Sequence, residues 1–152
     1  DRLALAKELS PQNTYDPYSP EGQAYIQQIK EEGGADVVIE FAASDSGFEL
    51  SNELIRKSGG TLVIGTWHRD KVTFDGSHWH MSGVNVLNLS PMSNRNYTEM
   101  IPRTAALYER GIYAPGDYLT HTARFDDPEG LNRVLRISGT KEDGYIKGAI
   151  LF

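Results

Sequence analysis

Ala35–His68 reads A-D-V-V-I-E-F-A-A-S-D-S-G-F-E-L-S-N-E-L-I-R-K-S-G-G-T-L-V-I-G-T-W-H. The run Val37-Val38-Ile39, leading through Glu40 to Phe41-Ala42-Ala43, is too short for a helix and does not alternate. Continuous β-branched runs of this kind suit strands buried on both faces, as in parallel sheets. Ser46-x-x-Glu49 has the form of a capping box and predicts a helix start, with Phe48, Leu54 and Ile55 toward the sheet. Ser58-Gly59-Gly60 is expected to end that helix, because glycine enters the left-handed C-cap conformation freely. Leu62-Val63-Ile64 then predicts a second buried strand. Strand, helix and strand within about 30 residues make one right-handed crossover unit. In such sheets ligands bind beyond the carboxyl ends of the strands, here Phe41–Ser44 and Gly65–His68.

The flanking sequence extends the pattern in both directions. Asp1–Leu9 is helix-forming, with Leu3, Ala6 and Leu9 on one side. Ser10–Pro20 carries three prolines and leaves only Asn13-Thr14-Tyr15 as a short strand. Pro20-Glu21-Gly22 opens a helix through Lys30 that Gly33-Gly34 closes. Downstream come an extended piece at Lys71–Phe74, an aromatic loop at Ser77–Met81 and a third parallel strand over Gly83–Leu89. A helix follows around Thr98–Arg110, where Pro102 suits the first turn better than the middle. Tyr118–His121 reads as a strand, Asp127–Ile137 as a helix with Leu131, Val134 and Leu135 inward, and Tyr145–Phe152 as a closing strand. Strands alternating with helices define an α/β fold with a mainly parallel sheet.

Bulk properties narrow the function. The 152 residues are 39% hydrophobic, which is enough for one modest core. The net charge is −6 and no stretch concentrates Lys and Arg, so nucleic acid is not expected as a partner. No apolar run approaches a membrane span and no signal peptide is evident, so a soluble, cytoplasmic protein is expected. The absence of cysteine excludes disulfides and thiolate metal ligands. The start at Asp1, inside a helical pattern, suggests part of something longer.

R-L-A-L-A-K-E-L, G-A-D-V-V-I-E-F-A-A-S, K-S-G-G-T-L-V-I-G-T-W-H, Y-L-T-H and D-G-Y-I-K-G-A-I-L-F occur in that order. In order and spacing they resemble the medium-chain dehydrogenase/reductase family. More narrowly they resemble its zinc-type alcohol dehydrogenase branch, with a threonine- or sorbitol-dehydrogenase-like segment at W-H-R-D-K-V-T-F-D-G-S-H-W-H. The resemblance implies a Rossmann-like sheet with helices on both faces, lacking the first βαβ strands. Residues 1–152 would then be a partial NAD(P)-binding domain. No G-x-G-x-x-G phosphate loop is present, and the family's catalytic zinc belongs to a separate N-terminal domain. With the middle strands of the usual order missing, the isolated chain is expected to be only marginally stable and to lack activity by itself.

The resemblance also assigns cofactor-binding positions. Arg2 would lie beside the adenosine ribose or a 2′-phosphate, with a solvated helix-surface arginine as the plain alternative. Phe41, Ala42 and Ala43 would form the loop against the adenosine half, the small residues allowing close approach. Gly65, Thr66 and Trp67 would face the nicotinamide, and His68 would contact substrate or cofactor. Leu89 and Ser90 would bond the carboxamide through main-chain atoms. Lys147 would approach the pyrophosphate, or else protect an edge strand. His121 is expected to be structural. His78 and His80, on one face of an extended segment, could bind a metal with His68, but a packed aromatic loop is the preferred reading. No residue here is expected to be catalytic.

The implied activity is hydride transfer between NAD or NADP and a secondary alcohol or ketone, with zinc supplied from the other domain. A homo-oligomer is expected in the full-length protein, drawing on Met81–Pro91. The alternatives are a zinc-free quinone or enoyl reductase of the same family and a non-catalytic truncated binding module. A nucleotide-binding protein of another kind, such as a methyltransferase, lacks the Gly-rich start it would need.

Overall fold

The computed structural model describes residues 2–9, 13–66, 68, 71–90 and 96–152. The elements are α1 (Arg2–Leu9), α2 (Pro20–Glu31), β1 (Val37–Glu40), α3 (Asp45–Leu54), β2 (Thr61–Ile64), α4 (Gly76–Ser82), β3 (Asn85–Asn88) and α5 (Tyr97–Glu109). A 3-10 turn (Pro115–Tyr118), β4 (Leu119–Arg124), α6 (Pro128–Thr140) and β5 (Lys147–Leu151) complete the chain. It divides into two compact units, one of Tyr15–Tyr97 and one joining the N-terminal residues up to Thr14 with Thr98–Phe152.

In the first unit β1, β2 and β3 form a parallel sheet in that order. Val38 pairs with Leu62, and Leu62 with Val86. β2 is the middle strand, and Leu62 and Val63, which point to opposite faces, are both buried. This is the two-sided burial that the apolar run predicts. The flanking strands differ: Val37 and Ile39 of β1 and Leu87 of β3 are exposed. Phe48 of α3 and Ile55 just beyond it complete this core at 2% and 1% exposure.

The local readings need four corrections here. The cap of α3 is Ser44, whose hydroxyl accepts from the Gly47 N–H, and not Ser46. Ser46 instead receives the Tyr18 hydroxyl. α3 also ends at Leu54, before Ser58-Gly59-Gly60. Ile55 turns extended there, and the Ala35 N–H donates to the Leu54 carbonyl while the Arg56 N–H donates to the Ala35 carbonyl. Bridging to Ala35 replaces another helical turn. Asn13–Tyr15 forms no strand.

The fourth correction concerns Ser77–Met81, which is helical rather than a loop. Asp75 caps α4 by accepting from the His78 N–H, and Gly83, at φ 61°, closes it in the left-handed conformation. His78 and His80 are therefore about 200° apart around a helix and share no face. Trp79 stacks on Phe74 with ring centroids 4.1 Å apart, and its indole N–H donates to the Asn52 side chain.

The second unit pairs β4 and β5 in parallel, with α6 packed on them. Its buried apolar residues are Ala123, Val134 and Ile137. The expected inward Leu135 is exposed instead, because the buried stripe of α6 runs from Val134 to Ile137, one turn on. Pro102 lies in the second turn of α5 rather than the first. At the end of β4 the Arg124 guanidinium makes two bonds to Asp126 and holds that carboxyl below its ordinary value. Asp127 caps α6, accepting from the Gly130 N–H at 3.0 Å. Asp127→Ala is expected to lower stability by about 1 kcal/mol, read as a lower urea midpoint in ellipticity.

Candidate functional site

The carboxyl ends of β2 and β3 open into a cleft of about 470 Å³. Parallel pairing brings these ends together: Ile64 lies opposite Asn88, and the Leu89 N–H donates to the Ile64 carbonyl. Five of the predicted residues line the cleft: Gly65, Thr66, His68, Leu89 and Ser90. Phe48, Phe74 and Trp79 supply aromatic walls, and Asn88 adds a polar edge. The N–H groups of both Leu89 and Ser90 are engaged, the latter by the Asn88 side chain at 2.9 Å. Main-chain recognition of a ligand amide there would fall to carbonyl oxygens.

The other predicted positions lie elsewhere. A Cβ on Gly65 would come within 2.2 Å of the Phe41 ring. Phe41 does not line the cleft, and its ring is largely exposed. Ala42 borders a separate hollow with Tyr18, Ser44 and Ser46. Ala43 adopts φ 55°, a region unfavourable to a residue with a Cβ, and donates its N–H to Glu40 Oε1. In the second unit Arg2 and Lys147 line one hollow of about 400 Å³, joined by Lys141 and Tyr118. Trp67 lies outside the described residues.

A buried acid bonded to His68 has no role in the sequence reading. Glu40, the last residue of β1, has a side chain only 1% exposed. Its Oε2 lies 2.7 Å from His68 Nε2, while Oε1 accepts from the Ala43 N–H at 2.9 Å. A buried carboxylate needs such partners, since an unpaired one is strongly disfavoured. An acid inside an otherwise apolar strand was the available signal. Its partner lies 28 residues away. Phe48 meets the His68 ring edge-on, with centroids 5.7 Å apart.

These residues suit some groups and not others. An aromatic-walled, mainly apolar cleft at parallel strand ends accepts a flat ring such as nicotinamide. Zinc does not fit: among the described residues no three His, Asp or Glu side chains gather as a metal site. His121, bonded to Thr120 and set against Tyr145, belongs to the packing of β4 and β5.

Comparison with known proteins follows the same lines. A family model described as zinc-binding dehydrogenase matches residues 1–106. A comparison with curated proteins returned no match. Among solved structures the chain is similar to an Escherichia coli oxidoreductase/dehydrogenase of unknown specificity, at TM-score 0.79 and 22% identity, covering 99% of this chain and 40% of that one. It is also similar to benzyl alcohol dehydrogenase from Acinetobacter calcoaceticus, at TM-score 0.74 and 20% identity, covering 98% and 39%. A third similar structure is an E. coli alcohol dehydrogenase, described as short-chain, complexed with cofactor NADH; its TM-score is 0.77 at 15% identity, covering 99% and 42%. At these identities the likeness establishes the fold, a Rossmann-like α/β arrangement of parallel strands and helices. The chain spans about two fifths of the length of these structures. With a family match over residues 1–106 of 152, this chain belongs to the zinc-binding dehydrogenase family.

Proposed function

We propose that residues 1–152 are the cofactor-binding portion of an NAD(P)-dependent alcohol or polyol dehydrogenase. The observation that carries the reading is the aromatic-walled cleft at the ends of β2 and β3, holding Gly65, Thr66, His68, Leu89 and Ser90. When bound, the cofactor supplies a nicotinamide C4 that exchanges hydride with a secondary alcohol or ketone. Phe48, Phe74 and Trp79 would exclude water from one face of the ring, and Thr66 and Asn88 offer hydrogen bonds at its edge. Arg2 and Lys147, with Lys141 beside them, provide positive charge for phosphate oxygens. No described residue is assigned the proton of the alcohol, so the chain by itself is proposed to orient cofactor rather than to turn over. A homo-oligomer of the full-length protein drawing on Met81–Pro91, of which Pro91 lies outside the described residues and Leu87 and Leu89 are exposed, belongs to the same proposal.

Titration with NADH, followed by amide NMR shifts, tests this reading. The expected result is saturable movement of the Gly65, Thr66, Leu89 and Ser90 resonances. No movement there at any NADH concentration would count against it.

A further inference from the structure

Resting on that reading of the cleft, we infer that Glu40 is a positioning residue that fixes the tautomer of His68, leaving His68 Nδ1 to accept a hydroxyl hydrogen from a ribose of the bound nucleotide. The two side chains come from the ends of neighbouring strands, Glu40 closing β1 and His68 four residues beyond Ile64 of β2. An ionised carboxylate has only acceptors to offer, so the atom 2.7 Å from Oε2 must bring the hydrogen. The proton therefore sits on Nε2. Glu40 cannot move away from this duty: its other oxygen is held by the Ala43 N–H, and the side chain is 1% exposed. Phe48, edge-on to the imidazole, restrains rotation of the ring.

His68 itself is 12% exposed and lines the cleft, so the pair is not sealed off as a packing device. Among the described residues nothing bonds Nδ1. In the neutral imidazole, a proton on Nε2 makes Nδ1 an acceptor with a lone pair. The same cleft is walled by Phe48, Val72 and Trp79 and edged by Thr66, Asn88 and Ser90. A hydroxyl satisfies such an acceptor without bringing a charge, and the carboxamide N–H of the nicotinamide is the competing neutral donor. The nucleotide supplies that hydroxyl in this reading, and a free polyol substrate is the competing source.

Glu40→Gln has a defined consequence. The Ala43 N–H requires an acceptor, so the glutamine oxygen takes the place of Oε1 and its NH₂ replaces Oε2. The NH₂ group then faces His68 Nε2, which must become the acceptor, and the proton moves to Nδ1.

Long-range ¹H–¹⁵N spectra of the full chain at pH 8.5 read the tautomer of each of its four histidines. The His68 signal is assigned by its loss in His68→Gln. The expected wild-type pattern is protonated Nε2 and bare Nδ1, inverted in Glu40→Gln. A proton on wild-type Nδ1 overturns the inference even if the variant does not fold, and so does an unchanged tautomer in a folded Glu40→Gln. Adding NADH should move His68 Nδ1 upfield and leave Nε2 in place, whereas sorbitol alone should move neither. Movement with sorbitol but not with NADH, or movement with free nicotinamide, which carries the carboxamide and no ribose, overturns the choice of ribose. If NADH moves Gly65 and Thr66 but not His68 Nδ1, the inference fails while the cofactor reading stands. If NADH moves no cleft resonance, the cofactor reading fails, and the ribose assignment with it.

Discussion

Leu62→Ala is expected to lower the unfolding free energy of the Tyr15–Tyr97 unit by about 3 kcal/mol. Leu62 is 0% exposed and sits in the middle strand, paired on one side with Val38 and on the other with Val86. Truncation removes buried carbon atoms and leaves a void between elements whose backbones are tied by the ladder, so collapse into the space is limited. Both tryptophans fall between Tyr15 and Tyr97 in the sequence, so urea unfolding followed by their fluorescence reports on this unit. The control is Leu135→Ala in α6: that side chain is 61% exposed, and its loss should shift stability by less than about 0.5 kcal/mol. Equal effects for the two leucines would contradict the assignment of the core.

Glu40→Ala is expected to cost a similar amount, about 3 kcal/mol, for a different reason. No large apolar surface is lost. Two donors, His68 Nε2–H and the Ala43 N–H, lose their acceptor in a place that water reaches poorly. Each stranded donor costs about 1–3 kcal/mol. The Ala43 bond also supports a left-handed backbone at φ 55°, so its loss should free the Phe41–Ala43 loop. Faster amide exchange at Ala43 would be the local sign. Unchanged stability would mean that the carboxylate is not the partner of these groups.

How much of this was legible beforehand varies from residue to residue. Val37–Ile39 and Leu62–Ile64 announced strands because such short, mostly β-branched apolar runs do not suit a helix; burial on both faces holds for β2, whereas Val37 and Ile39 of β1 are exposed. Their parallel pairing followed from the spacer between them, which holds a helix. Helix ends were less readable. Ser44 and Ser46 are equally able caps, and the choice between them depends on Tyr18, which approaches from a distant part of the chain. α4 was missed although both signals were present, Asp75 at its start and Gly83 at its end. The alternation His78-Trp79-His80 imitated a strand over too short a stretch to be decisive. In the cleft, strand ends pointed to Gly65, Thr66 and His68, while Leu89 and Ser90 came from the family resemblance. Phe41, expected at the adenosine half, lies outside this cleft, and Glu40, given no role from the sequence, bonds His68.

The parallel register also bears on how the chain reaches its native state. Val37 pairs with Thr61 and Thr61 with Asn85, and in the other unit Leu119 pairs with Lys147. Every ladder thus joins residues at least 24 positions apart, and no pair can nucleate from a two-residue turn. The entropy of closing each loop is lost before any ladder bond is gained. Helices, which need only contacts four residues apart, can form and dissolve many times during that search. Until the strands of a unit meet, their apolar side chains remain open to other copies of the chain.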